Sequence, residues 1–347
     1  MEYATSGLIK TASVGAAFCV SAEPAHEGQP WPPHKTQYDA GTPDAPITRP
    51  VITRLPPLAH LRVRIADHVR GMTRGTSSGI VLDLDNPPGD PGLFGPQAVC
   101  WRVHADFPSM LAGGVSALLL QALHPLALAG VWDHSSFRTD MQGRLGRTAQ
   151  FIAGTTYGCR ADAERLIARV RHIHAGIRGT APDGRPYRAD DPHLLTWVHV
   201  AEVSSFMAAY LRYVNPALST AEQDQYYAET AHIAAALGAI AIPRSRQEVA
   251  GYLERMRPEL VADARAHDVA QRLLQLSSGH LAALPAIRIL TAAGTQLLPP
   301  WARAMLGLDT ATLGWRARLG MPAVAGMLRW SLTNSAAQRA RRRMAQT

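Results

Sequence analysis

The chain is poor in the residue patterns that announce common chemistries. Its three cysteines, Cys19, Cys100 and Cys159, are widely separated. Their odd number argues against a disulfide framework and makes a reducing compartment the default. There is no CxxC or zinc-finger spacing, no HExxH, no Walker loop and no GxSxG, which removes the metal, phosphate-loop and nucleophile-elbow chemistries those patterns carry. Gly113-Gly114 sits near a helix start with no strand before it, so a dinucleotide fold is excluded as well. Aromatic residues are only 6% of the chain, and lysine is far outnumbered by arginine. No apolar run approaches the roughly 18 to 20 residues of a membrane span. The nearest, Val115 to Val131, is broken by Gln121, His124 and Pro125. Strand-like alternation is nearly absent, and no repeat of fixed period is seen.

What remains favours a buried helical interior. Hydrophobic residues make up 47% of the 347 positions and charged ones 18%, with alanine, leucine and arginine abundant. The net charge of +8 raises a nucleic-acid reading. The excess is spread along the chain, apart from Arg339, Arg341, Arg342 and Arg343, and no nucleic-acid motif accompanies it. Solvated helix faces and a basic tail explain it more simply, so no nucleic-acid partner is expected. Residues 11–22 end in Val20-Ser21-Ala22, a weak imitation of a signal cleavage site, but the apolar part is short and interrupted. The expected location is cytoplasmic, with secretion the lesser reading. The segment Trp315 to Trp330 mixes Arg316, Arg318 and Arg329 with apolar residues. It suits peripheral contact with a membrane surface, or ordinary packing of C-terminal helices.

Residues 1–57 are dominated by Pro, Gly, Thr and Asp from Glu23 onward and read as disordered. Residues 58–335 read as one all-helical domain, and 336–347 as a basic tail. Leu58 to Arg70 has helical spacing; Ile80 to Leu84 is at most a short strand. A helix is expected over Gln97 to Val103, then a long apolar one from Asp106 or Ser109 to about Leu123. Arg138 to Gly143 reads as a connection before a helix over Arg144 to Tyr157. The following helix runs from Asp162 to Ile177 and stops at Gly179. TAPDGRPY is a turn. Asp190-Asp191-Pro192 opens a helix reaching Val214, and Ser219 and Ser245 each cap a helix with a glutamate three residues on. Helices over Asp263 to Leu276 and Leu281 to Leu298 follow, and the remaining ones are expected to be short.

Ionisable side chains on these apolar helices are the candidate site, because burying charge or imidazole is costly unless something compensates. Leu166, Val170, Ile173, His174 and Ile177 share one helix face, so His174 points inward while His172 faces water. An inward imidazole is a natural axial ligand for haem iron. The alternative is a core histidine that donates to a backbone carbonyl. His199 shares a face with Leu195, Phe206 and Tyr210, and spacing does not choose between it and His174. His124 precedes Pro125 and suits a carbonyl freed by that break better than a metal. Arg144, Arg147 and Thr148 project from adjacent turns on one side. The arginines suit carboxylates such as haem propionates, and Thr148 suits a hydrogen bond to a ligand near the iron. The alternative is a solvated basic face paired with Asp140, Asp133 or Glu164. Glu229-Thr230-Ala231-His232, with Asp224, is the strongest non-haem metal candidate, although di-iron bundles need such a run on partner helices as well.

The ordered set QALHP, HSSFR, RLGRT, FIAGTTYG, VRHIHAGIRGTAPDGRPYRADDPHLLTWVH, DQYYAE and LLPPWAR resembles the ER-bound oxygenase/rubber oxygenase catalytic-domain family, which includes MpaB-type oxygenases and latex clearing proteins. The resemblance covers roughly residues 60 to 310. It implies an all-α, globin-like core holding haem b, and an oxygenase that uses dioxygen on an apolar, isoprenoid or alkene-containing molecule. It implies His174 as the axial ligand, which breaks the tie with His199. In latex clearing proteins an Arg-x-x-Lys-Thr run lines the haem pocket; here Arg147 stands where that lysine would be, within Arg144-Leu145-Gly146-Arg147-Thr148. Arginine does not readily lose its proton to become a ligand, so the distal side is expected to be open to water or dioxygen. Rubber-cleaving members also carry a glutamate upstream of that run. Pro125 to Val131 contains no acid and Asp133 is the nearest, so a smaller substrate than polyisoprene is expected. A non-catalytic helical protein at a membrane surface and a non-haem iron oxygenase are the alternatives.

Overall fold

Capping residues and prolines divide the chain into its helices much as the sequence suggests. The computed structural model describes residues 57–73, 82–276, 281–308 and 311–346. The expected disorder of residues 1–57 lies outside this range except for Pro57, the first residue of a helix. Among the described residues are fourteen α-helices and one two-stranded hairpin, an all-α fold. The first four helices are α1 (Pro57–Thr73), α2 (Val99–Val103), α3 (Phe107–Gln121) and α4 (Pro125–His134). Next come α5 (Met141–Tyr157) and α6 (Arg160–Ala175), then β1 (Arg178–Thr180) and β2 (Pro186–Arg188). The middle of the chain holds α7 (Pro192–Tyr213), α8 (Thr220–Leu237), α9 (Arg246–Met256) and α10 (Ala264–Leu274). The last four are α11 (Leu284–Thr295), α12 (Pro300–Met305), α13 (Ala311–Ser331) and α14 (Ala336–Met344).

Several ends follow directly from cap chemistry. Asp191 accepts from the amides of His193 and Leu194 to open α7. Ser219 and Glu222 close a reciprocal capping box at α8, and Ser245 accepts from the Glu248 amide at α9. Gly238 ends α8 at φ 109°, a left-handed conformation that only glycine adopts at little cost. Helix α5 begins three residues before the expected Arg144. Asp140, placed in a connection by its neighbours, accepts from the Gly143 amide and caps it. Residues 82–84 of the expected strand at Ile80–Leu84 are not strand. The TAPDGRPY turn joins β1 to β2, whose register pairs Gly179 with Tyr187.

The core forms where α7 lies along α3, with Trp197, Val200, Ala201, Leu119 and Leu120 buried. Gly113 is explained here rather than by nucleotide binding: a Cβ on it would come 3.2 Å from the Phe206 Cα of α7. The same closeness joins α11 to α3, since a Cβ on Gly294 would lie 2.5 Å from Val115 Cβ and 2.7 Å from the Ala112 carbonyl oxygen. Gly294→Ala should therefore force these helices apart and lower stability by about 1–3 kcal/mol, read as a drop in the urea midpoint. No change in that midpoint would mean the contact is loose.

Helix α7 is long and apolar enough to cross a membrane, contrary to the expectation that no segment would be, yet 72% of its apolar window is buried in this fold. Pro125 at the first position of α4 turns the chain by 106° from α3. Two C-terminal expectations are corrected. Helix α13 is 21 residues long rather than short. The segment read as a basic tail contains α14, which is docked on the body. Arg343 is fully buried there, donating to the backbone oxygens of Asp90 at 2.9 Å, Leu84 at 3.2 Å and Gly158 at 3.4 Å. Arg339 and Arg342 pair with Asp85. An arginine every few residues looked solvated because its acceptors are loop carbonyls more than 180 residues away.

Candidate functional site around helix α5

Helix α5 carries polar side chains into two cavities. The larger lies between α5, α7 and α8, with about 550 Å³ of empty space counted to its mouth; the enclosed part is much smaller. Phe151, Ile152, Leu195, Val198, Ile233 and Leu237 give it apolar walls, and His104, His199 and Glu202 are its titratable groups. The smaller, about 330 Å³ on the same measure, is lined by Arg144 of α5 together with Gln121, Leu128, Val131 and Val269. A hydrogen bond from Gln121 Nε2 to the Val198 carbonyl (3.0 Å) ties a wall residue of one cavity to a wall residue of the other.

The arginine pair is buried, not solvated. Arg144 is 3% exposed and Arg147 5% exposed. The Arg144 guanidinium stands 5.9 Å from the centre of the Phe137 ring. Burial, then the neighbouring charge of Arg147, pushes its pKa down to about 9. Arg147 donates to Ser136 Oγ at 3.1 Å and lies 3.4 Å from Asp140 Oδ2, one of the three carboxylates expected to pair with it. Thr148 Oγ1 donates back to the Arg144 carbonyl at 3.2 Å. Asp133 instead accepts from the Tyr187 hydroxyl at 2.6 Å.

The histidines separate into distinct roles. His174, near the C-terminal end of α6, is 1% exposed and His172 is exposed, as the helix face predicted. The two-residue connection between α5 and α6 makes them antiparallel neighbours. Arg144 and His174 each lie about four helical turns from that connection, on the two helices. They do not line a shared cavity: His174 borders neither of the two. His199 does border the larger one, and its buried Nε2 has no hydrogen-bond partner among the described residues. Burial pushes its pKa down to about 4. His124 occupies the cap position of α4 but makes no side-chain cap bond, which corrects the carbonyl-satisfying role expected of it. Its Nδ1 is buried without a partner, its ring lies 6.0 Å from that of Trp197, and burial keeps it neutral with a pKa of about 4.

Two cavity residues escaped sequence reasoning. His104 lies within 2.9 Å of Thr156 Oγ1 and 3.0 Å of Tyr226 Oη, so both ring nitrogens are engaged. Its pKa is pushed down to about 3 by burial. Glu202 sits one turn after His199 on α7 and makes no hydrogen bond or ion pair among the described residues. Burial pushes its carboxyl up to about 7 from an ordinary 4.5. The i, i+3 spacing of His199 and Glu202 was a legible signal for the second residue; nothing local marks His104.

The raised carboxyl has a consequence for stability. The folded protein holds this proton to higher pH than the unfolded chain. Stability associated with the group is therefore intact below about pH 4.5 and lost as pH rises toward 7. Glu202→Gln should gain thermal stability relative to wild type between pH 5 and pH 8. A difference in Tm that stays constant over that range would contradict the assignment.

The non-haem metal candidate is overturned. Glu229 accepts from the amides of Val99 and Cys100 at 3.1 and 2.9 Å, capping α2, and Asp224 accepts from the Arg246 amide. His232 is exposed, and no group of three metal-ligating side chains occurs among the described residues.

The residue types around α5 fit a haem in kind. His174 offers a buried imidazole on α6, the helix that follows and packs on α5, and the buried Arg144 of α5 borders the smaller cavity. The profile of the family described as ER-bound oxygenase mpaB/B′/rubber oxygenase, catalytic domain, matches residues 101–330, about two thirds of the chain. The protein belongs to that family and is an oxidoreductase of the oxygenase type. No curated protein and no solved structure matches it.

Proposed function

We propose that this is a haem b-dependent oxygenase that uses dioxygen on an apolar molecule smaller than polyisoprene, with His174 as the residue that would bind the iron. The observation that carries the proposal is a buried imidazole on α6 together with a buried arginine pair on the neighbouring α5. A cation held in apolar surroundings, its pKa already depressed, gains most from an anionic group, and haem propionates are such a group. Arg144 would hold a propionate, and Arg147, fixed by Asp140 and Ser136, would stand behind it. Bound haem would supply the activation of dioxygen; the helical walls orient the substrate and exclude water. The absence of an acid from Pro125 to Val131, with Asp133 tied to Tyr187, supports a substrate other than polyisoprene.

A second reading of the ligand rests on the unpartnered Nε2 of His199 in the larger cavity. The two are separated by haem content in His174→Ala and His199→Ala.

The membrane contact is part of the proposal. On α13, Ala317, Met321, Val324 and Leu328 are buried, which satisfies the packing reading for one face. On the other, Trp315 and Leu319 are 64% and 60% exposed and Trp330 is 42% exposed, with Arg316 and Arg318 alongside. Aromatic ends and flanking cations suit the headgroup layer of an anionic bilayer. Trp315→Glu with Leu319→Glu should reduce flotation with phosphatidylserine-containing liposomes several-fold; unchanged flotation would exclude this face.

A further inference from the structure

We propose that the cavity between α5, α7 and α8 is the substrate pocket, and that His199 and Glu202 together anchor a hydroxyl group on an otherwise apolar substrate. The inference rests on the reading that haem is held on His174, which leaves this cavity to another molecule.

Its walls are apolar, so an apolar body is favoured. The polar groups decide the rest. His104 is committed to Thr156 and Tyr226. His199 Nε2 is buried without a partner among the described residues, and the half-buried Glu202, one turn further along the same helix face, lines the cavity beside it. A hydrocarbon would leave the His199 nitrogen unpaired, at a cost of roughly 1–3 kcal/mol for an unsatisfied buried group, and would offer nothing to Glu202. No lysine or arginine lines this cavity. A substrate carboxylate would therefore meet Glu202 with no cation to offset it. An ammonium brings three donors and a full charge into a space offering two unpartnered side chains. A hydroxyl both donates and accepts, so it satisfies a carboxyl and an imidazole in whichever protonation and tautomeric states they hold.

The test is isothermal titration of the purified full-length protein, after its haem content is recorded, with 1-octanol, heptyl methyl ether, octanoate and octylamine. The ether keeps length and oxygen but lacks the donor. The alcohol should bind at least about tenfold more tightly than the ether, the equivalent of one hydrogen bond. Octanoate and octylamine should bind more weakly than the alcohol. Glu202→Leu and His199→Phe should each bring alcohol and ether within about threefold of each other; two variants are used so that poor folding of one does not decide the matter. Equal binding of alcohol and ether to the wild type would overturn the proposal. So would tighter binding of octylamine, or an alcohol preference that survives in either folded variant. A protein without haem that still shows the preference would separate failure of the haem reading from failure of this one.

Discussion

Arg343→Ala is expected to lower stability by about 3–5 kcal/mol. The guanidinium is fully buried and donates to three backbone carbonyls, those of Leu84 and Asp90 in one loop and of Gly158 at the end of α5. Truncation leaves those oxygens without their charged donor and opens a void under α14. An unsatisfied buried group alone costs roughly 1–3 kcal/mol, and the losses here coincide. Arg343→Lys keeps the charge but not the planar fork, so it should recover only part of the loss. Chemical denaturation followed by circular dichroism reads the effect. A change below about 1 kcal/mol would mean that α14 contributes little to holding the loop from Leu84 to Asp90 against the start of α6.

His174→Ala should reduce bound haem by more than about tenfold, measured as pyridine haemochrome per mole of protein, while His199→Ala keeps most of it. The expectation follows from the proposal that His174 would bind the haem iron and from its burial on the helix beside the one that carries Arg144. Arg144→Ala should weaken haem retention less than His174→Ala, because it removes a charge pair rather than the iron ligand. The opposite pattern, with haem lost in His199→Ala and retained in His174→Ala, would move the iron into the larger cavity and overturn the hydroxyl anchor as well.

The helices were legible because their determinants are local. Asp191, Ser219 and Ser245 sit where a side-chain oxygen can reach an amide two or three residues on, and a sequence displays that spacing. The inward turn of His174 was legible for the same reason, through the periodicity of Leu166, Val170 and Ile177. What was not legible depends on partners distant in sequence. Glu229 looks like a metal ligand beside His232 until α2, about 130 residues upstream, presents two amides to it. Arg343 looks like a solvated tail residue until three carbonyls, from the loop of Leu84 and Asp90 and from the end of α5, surround it. His104 carries no local pattern; Thr156 and Tyr226 give it a place. The spacing of Arg144, Arg147 and Thr148 was visible, but not that Arg147 is held by Asp140 and Ser136 or that Thr148 turns back on its own helix.

On the proposed reading, this chain holds one iron porphyrin. The most direct measurement is the absorption spectrum of the full-length protein purified from cells supplied with haem, with pyridine haemochrome quantification. The account predicts a Soret band and about one b-type haem per chain. A colourless protein from such cells, or one carrying iron without porphyrin, would contradict it.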